Sequence, residues 1–546
     1  MLKNLLIASL PVLALLAIPL LLRPGTGSAA PAAAARNEAG PGQGSVSPGE
    51  VEKLVIISAH NESIRYEYEQ AFRRYYRERF GREIELDFRS PGGTSDIVRY
   101  IADRYEAEFR RYFESDPANG EWTDEIAAAF ANPRTDTDPD ASPAAKRARA
   151  LFLASDVGIG IDLMAGGGTF DMARQAARGY GVDGGVKERH PELLSPELIP
   201  PQFGGDNLYD PRGRYYGVVL STFGICYNRD RVAELSDPTP PAAWRDLGQA
   251  RFFNTLVLAD PSKSGSANKC FEIIIQQCMS EAGSPEKGWE NGLNLIKRIF
   301  GNARNLTDAA GKVPHDVATG NAVAGMAIDT YGFTEQEWNA LQFDGKPHFF
   351  YVAPKGGTAV SADPVQLLRG APNRAAAQAF IDFLLSPEGQ KLHAFKVGAP
   401  GGPRRHALRR PPIRRDLYQE KYREFRSDPD YNPYESGASF TYRPEWTAPY
   451  YSLLRILLRC IALEPQPELQ AAWKAIIEAG GPEKVPQAYA AFCRLPFAYS
   501  GAAEAAAALR GESGLSAVEV AGLCRRWSDE ARQNYLEAAR LAREGK

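Results

Sequence analysis

Residues 215–232, YYGVVLSTFGICYNRDRV, leave few folds open. The apolar run Val218, Val219, Leu220 continues through Phe223, Ile225 and Tyr227 and stops at the polar Asn228-Arg229-Asp230. That is the pattern of a long strand, buried or half-buried, and a strand of this length can cross from one lobe to another. One α/β-patterned block precedes it, a second follows, and the first pattern resumes at residues 349–392. The interleaving predicts two lobes joined by crossing strands, with a cleft between them as the place for function.

A chain of 546 residues is long enough for two cores plus an appendage. Charged residues make up 24% and the net charge is -3, so no global field points to nucleic acid. Lys3 precedes an apolar run over residues 5–22, followed by Arg23-Pro24 and a small-residue stretch. This is the layout of an export signal. The run also approaches the roughly 20 residues that span a bilayer, so residues 1–29 read either as a cleaved signal peptide or as an N-terminal membrane anchor. Either way the protein is expected in the periplasm or otherwise outside the cytoplasm. No Cys lies near this leader, which excludes a lipid-modified N-terminal Cys. The six cysteines, Cys226, Cys270, Cys278, Cys460, Cys493 and Cys524, contain no C-x-x-C pair, against zinc or thioredoxin chemistry. They read as buried free thiols or as disulfides of open connectivity.

Residues 30–50 are a Pro-, Gly-, Ala- and Ser-rich linker. A strand at 54–57 then leads through SAHNES into a helix over 64–80, stopped by Gly81 and capped by Asn61 or Ser63. Ile84, Leu86 and Phe88 alternate as a second strand, and SPGGTS, with Gly93 and Thr94, turns into a second helix. Two such units predict a parallel sheet. The charged, Pro-rich residues 106–149 read as an inserted surface elaboration with some helix. DVGIGIDL at 156–163 reads as a strand feeding the loop MAGGGT, in which Gly166, Gly167 and Gly168 can aim backbone N–H groups at a ligand beside a helix N-terminus. The same loop also reads as a plain tight turn. It matches neither G-x-G-x-x-G nor a P-loop, which disfavours nucleotides.

Beyond the crossing strand, which carries Thr222, a strand at 256–258 ends in DPSKSGS. There Ser264, Gly265 and Ser266 offer donors to a carboxylate, phosphate or other oxyanion, or simply cap the next helix. A strand at 323–328 delivers Asp329 and Tyr331, hard oxygen donors at a strand end. Residues 349–354 read as the return to lobe 1, and residues 401–546 as a helical extension packing on lobe 2. Its basic run PRRHALRRPPIRRD reads as a solvated or interlobe face, or as a contact for anionic lipid.

Five stretches, LVIISAHNESIRYEYEQAF, the glycine loop, YYGVVLSTFGICYNRD, DPSKSGS and FIDFLLSPEGQ, occur in the order and spacing of one family. Over residues 51–397 the chain resembles a family 1 extracellular solute-binding protein of an ABC importer, in the ferric-ion-binding periplasmic branch. The resemblance implies a type II two-lobed α/β periplasmic-binding-protein fold, working as a monomer, that closes on a ligand and hands it to a permease with its ATPase. Lobe 1 would comprise 51–219 and 350–400, and lobe 2 220–349. His60 and Asn61 fall where the family places first-loop contacts. Ferric members use two adjacent tyrosines; Tyr331 matches the first, and Gly332 stands at the second. The implied ligands are Fe(III), held by Tyr331, Asp329 and His60 with an anion on Ser264 and Ser266, or an organic oxyanion such as a phosphonate, phosphate ester or carboxylate. No resident cofactor is implied. A sensory or scaffold protein on the same fold, or a hydrolase, are the alternatives. With no H-E-x-x-H or G-x-S-x-G and only six histidines, catalysis finds little support.

Overall fold

The first parallel pair of strands sets the direction of the sheet. β1 (Glu52–Ser58) leads into α1 (Glu62–Phe80), and β2 (Ile84–Arg89) into α2 (Thr94–Glu114). β1 and β2 pair in parallel with Leu54 opposite Leu86, as two successive strand-helix units require. The computed structural model describes residues 51–510 and 513–546, so the expected leader and linker lie outside it. Asn61 caps α1 by accepting from the Ile64 N–H at 3.0 Å, and Gly81 ends the helix in the left-handed region at φ 67°.

Two readings of this half are corrected. The insertion at 106–149 is more than surface. α2 runs on to Glu114, α3 (Pro143–Ala154) follows, and Phe109, Phe113, Phe130 and Phe152 pack in one core. The strand expected over 156–163 is confined to β3 (Leu163–Ala165). Gly158 has no room for a side chain, because a Cβ there would lie 2.1 Å from the Gly370 carbonyl oxygen, and Gly160 sits at φ 70°. The buried Asp162 carboxylate also leaves the strand pattern, accepting from the Val55 N–H at 2.8 Å and the Asn373 N–H at 2.6 Å. α4 (Thr169–Arg178) closes the unit.

β4 (Tyr216–Asn228) has 13 residues and is the spine. The chain continues through β5 (Leu256–Ala259), α5 (Gly265–Ala282), α6 (Pro285–Gly301), β6 (Ala303–Thr307), β7 (Ala324–Ile328), α7 (Asp329–Gln342), β8 (Phe349–Val352) and β9 (Val360–Leu368). The ten-stranded sheet runs β2-β1-β3-β9-β4-β7-β5-β6, with β8 also on β4 and the short strand Gly181–Val182 also on β9. The partners of β4 change along its length. Tyr216 to Thr222 pair antiparallel with β9, whereas Phe223 to Tyr227 pair with β7 and Ile225 to Asn228 with β8. Val218, Val219 and Leu220 accordingly belong to one hydrophobic core with β1 and α1, and Phe223 and Ile225 to another with α5 and α6. The switch falls between Thr222 and Phe223. The chain returns to the first core one strand later than the sequence suggested: β8 stays with the second half of β4, and β9 makes the crossing.

After α8 (Arg374–Leu385) and α9 (Pro387–Ala394), the extension does not simply pack on the second core. Its first part lies on the first: Leu408 and Ile413 are buried there, and the Leu220 N–H donates to the Pro411 carbonyl at 2.8 Å. Arg410 and Arg414 of the basic run are buried rather than solvated. From Phe440 onward the chain joins the second core through α10 (Tyr451–Leu458), α11 (Gln466–Glu478), α12 (Pro486–Cys493) and α13 (Ala517–Arg543). All six cysteines are free thiols.

Candidate functional site

Three clusters of side chains stand out: the first and third join elements of both cores, and the second lies on the side of the first core. The first is a knot at the point where β4 changes partners. Asp329, the first residue of α7, is fully buried and points its carboxylate back at β4. Its Oδ2 accepts from the Thr222 N–H at 2.8 Å and from the Tyr431 hydroxyl at 3.1 Å, and its Oδ1 from the Thr330 N–H at 2.7 Å. The Thr222 hydroxyl meets Tyr351 at 3.1 Å and also bonds to Tyr431. Tyr431 comes from the extension, so three distant segments are tied at one threonine. Burial pushes the Asp329 carboxyl up to about 6, against hydrogen bonds from Thr222, Thr330 and Tyr431 that pull it down.

The stability consequence has a definite sign. Because the native value is raised from 3.8 to about 6, the folded state keeps a proton that the unfolded state has lost. The contribution of Asp329 is therefore full below pH 3.8 and is lost as the pH rises through about 6. The change amounts to about 3 kcal/mol. Denaturant titrations of the protein and its Asp329→Asn variant at a series of pH values should show their stability difference shrinking across that window.

The second cluster surrounds His60. Its Nε2 lies 2.9 Å from Asp363 Oδ2, and Arg410 of the extension bonds to the same carboxylate. Arg410 also donates to the Tyr68 hydroxyl at 3.0 Å. Burial, then the charges of Arg410 and Arg65, hold the His60 imidazole well below its ordinary value. Its Nδ1 is buried without a partner. The glycine loop closes over this group. A Cβ at Gly166 would sit 2.8 Å from His60 Nε2, and one at Gly167 2.9 Å from Thr94 Cγ2, with φ at 87° and 105°. Only glycine tolerates both the contacts and the backbone.

The third cluster joins helix starts. Gly93 begins α2 and Gly168 begins α4, while Ser264 caps α5 by accepting from the Ala267 N–H at 3.2 Å. A Cβ at Gly93 would lie 3.8 Å from the Lys263 carbonyl oxygen, so the loop before α2 faces the loop before α5. Arg455 of α10 donates to Ser95 at 2.9 Å, Tyr451 donates to the Gly265 carbonyl at 3.0 Å, and Phe170 packs on Tyr451 at 4.7 Å between ring centres. Deeper on the α5 side, Lys269 pairs with Glu272 at 2.9 Å and lies 3.7 Å over the Tyr442 ring. Burial opposes the Lys269 charge, but Glu272, Tyr442 and Asp206 raise its value overall.

The residues singled out from sequence thus fall into groups. Gly93, Thr94, Gly166, Gly167 and His60 come together, and Gly93 faces the loop of Ser264, Gly265 and Ser266. Thr222 and Asp329 form the knot. Asn61 is exposed and serves as a helix cap. Tyr331 is half-buried, its hydroxyl value raised by burial and lowered by Arg410. Both Asp329 oxygens are already engaged, and among the described residues no group of three or more His, Cys, Asp or Glu is arranged to hold a metal ion. At Gly332 a Cβ would lie 2.5 Å from the Tyr351 ring, so the second tyrosine of the ferric pattern has no space. Sequence reasoning missed Arg410, Tyr431, Tyr442, Asp363 and Arg455. Four of these lie in the extension, where the basic run 403–416 contains Arg410 and no local pattern marks Arg455.

Comparison with known proteins follows this geometry. Residues 174–412 match the family of bacterial extracellular solute-binding proteins. The phosphoglycerate transport regulatory protein PgtC of Salmonella typhimurium is 32% identical over 183 residues, 34% of this chain and 41% of that protein. The match therefore spans about two fifths of the relative's length. The periplasmic binding protein AfuA of Actinobacillus pleuropneumoniae, solved with fructose-6-phosphate, is 19% identical with a TM-score of 0.40, covering 62% of this chain and 81% of its own. Iron-bound HitA of Pseudomonas aeruginosa is 15% identical with a TM-score of 0.45, covering 74% and 98%. The matched family is named for solute binding, and PgtC for the regulation of phosphoglycerate transport. Among the described residues no helix is long and apolar enough to cross a membrane.

Proposed function

We propose that the chain is an extracytoplasmic solute receptor of an ABC importer, whose two lobes close on a small organic oxyanion and present it to a permease with its ATPase. The observation that carries this reading is the meeting of three helix starts, those of α2, α4 and α5, beside Arg455. Each helix of this length brings about half a positive charge to its first turn, opposed in α2 and α4 by the first-turn carboxylates Asp96 and Asp171 and unopposed by any first-turn acid in α5. Their sum suits a phosphate ester or carboxylate. Gly93, Thr94, Gly168, Ser264, Gly265 and Ser266 would contact the oxyanion, and the glycine loop would carry its close approach to His60. The β4 switch at Thr222 is the hinge in this reading. Ferric iron is the weaker fit, since Tyr331 would have to bind it without a second tyrosine and without free Asp329 oxygens.

A sensory receptor on the same fold is the second reading, favoured by the regulatory role in the name of the Salmonella relative. Both readings share the ligand test. Thermal melting with 3-phosphoglycerate, fructose 6-phosphate, ferric citrate and putrescine should single out the organic phosphates. At a free concentration 100-fold above Kd, binding stabilises by about 2.7 kcal/mol. Stabilisation by ferric citrate alone, abolished in Tyr331→Phe, would replace the oxyanion with iron; no response to any probe would remove the receptor reading.

A further inference from the structure

Arg455 belongs to the extension and lies outside the residues that the solute-binding family matches, 174–412. It nevertheless stands at the junction of the three helix starts. Its Nη1 donates to Ser95 Oγ at 2.9 Å in the first turn of α2, and its Nη2 would be 3.8 Å from a Cβ at Gly265, the first residue of α5. The carboxylate that reaches it, Asp171 in the first turn of α4, is 3.9 Å away. That is a loose ion pair for a side chain only 17% exposed. The Arg455 Nε is buried and has no partner.

Asp96, the other first-turn carboxylate at this junction, is exposed and occupied in capping Gly93 at 3.2 Å, which leaves Asp171 as the buried one. Arg174 lies beside Asp171 and donates to Ser452 at 3.3 Å, so two guanidinium groups share one carboxylate. The helix starts add positive potential of their own. A guanidinium carries five donors in a fork that matches two oxygens of a phosphate or carboxylate. Here one donor holds a neutral hydroxyl, one reaches a distant carboxylate, and Nε–H has nothing. An anion placed against Arg455 would engage the idle donor.

We infer that Arg455 is a solute-contacting, specificity-determining residue, pairing with the charged oxygens of a phosphate- or carboxylate-bearing solute, so that the extension builds one wall of the binding site. The inference rests on the receptor reading above. It separates from a simple latch, in which Arg455 would do no more than bridge α2 and α10.

Calorimetry with 3-phosphoglycerate, on the full described chain, provides the test. Arg455→Gln should weaken binding at least 30-fold, and Arg455→Lys should recover part of the loss, because a point charge remains without the fork. In the wild-type protein the Arg455 Nε–H resonance, assigned by its disappearance in Arg455→Lys, should shift during titration, a readout that needs no altered fold. If wild type binds while Arg455→Gln stays within threefold of it, or the Nε–H signal does not move, Arg455 is a latch and the receptor reading survives. If wild type binds no organic oxyanion, both fall.

Discussion

Raising the pH from 7 to about 9.5 should stabilise this protein by about 3 kcal/mol relative to its Lys297→Met variant. Lys297 is 1% exposed in α6, beneath α12 and α13. Its Nζ donates to the Phe492 carbonyl at 2.9 Å and the Arg494 carbonyl at 2.8 Å, with the Phe492 and Tyr535 rings 5.8 Å away. Burial lowers its ammonium to about 7, opposed only by the nearby Cys493. Below pH 7 both folded and unfolded states are charged, and the cost of burying the cation is present in full. Between pH 7 and 10.5 the folded state has released its proton while the unfolded state still holds it, so stability climbs with pH. The full window corresponds to about 5 kcal/mol, of which pH about 9.5 captures roughly two thirds. Methionine loses both donors at every pH, an offset that leaves the slope of the difference intact. Urea titrations at several pH values measure that slope; parallel profiles for the two proteins would show that Lys297 stays charged throughout.

Lys297 also marks the boundary between what the residue order reveals and what it conceals. The helix 289–300 is legible from its apolar spacing, but nothing near Lys297 in the sequence marks it as buried. Its burial depends on helices nearly 200 positions later, and no local pattern encodes that. β4 is the opposite case. A long, mostly apolar run through Val218, Val219, Leu220, Phe223 and Ile225, ended by Asn228, has one sensible local reading, and the helix starts at Gly93, Gly168 and Ser264 were legible for the same reason: caps and turns are written in neighbouring residues. The stretch 156–162 misled because Val157, Ile159 and Ile161 alternate with glycines, which mimic a strand's period while removing its conformation. β8 misled because a short strand carries no mark of which half of β4 it joins. Tyr351, on that strand, fills the space that a second tyrosine at 332 would need, and such a contact appears only once the two segments are folded together.

Replacing Glu67 by Ala should cost about 4 kcal/mol and should loosen the extension before it unfolds either core. Glu67 lies on the buried face of α1, 1% exposed. Its two oxygens accept from the backbone N–H groups of Arg404 at 2.8 Å, Arg405 at 2.7 Å and His406 at 2.7 Å. One carboxylate thus pins three consecutive residues of the extension. Alanine leaves three donors facing a void, whereas glutamine keeps one acceptor oxygen and should lose less. Trypsin should cut the variant early within 404–415, where wild-type Arg410 and Arg414 are buried. The effect should then travel to the site. Arg410 follows the pinned residues by only four positions and is one of the charges that hold His60 down, so its release should raise the His60 value. Following the His60 ring proton by NMR across pH reads this directly. Accelerated cleavage with an unchanged His60 titration would mean that Arg410 stays on Asp363 without its anchor, and that residues 404–406 and Arg410 of the extension are energetically independent.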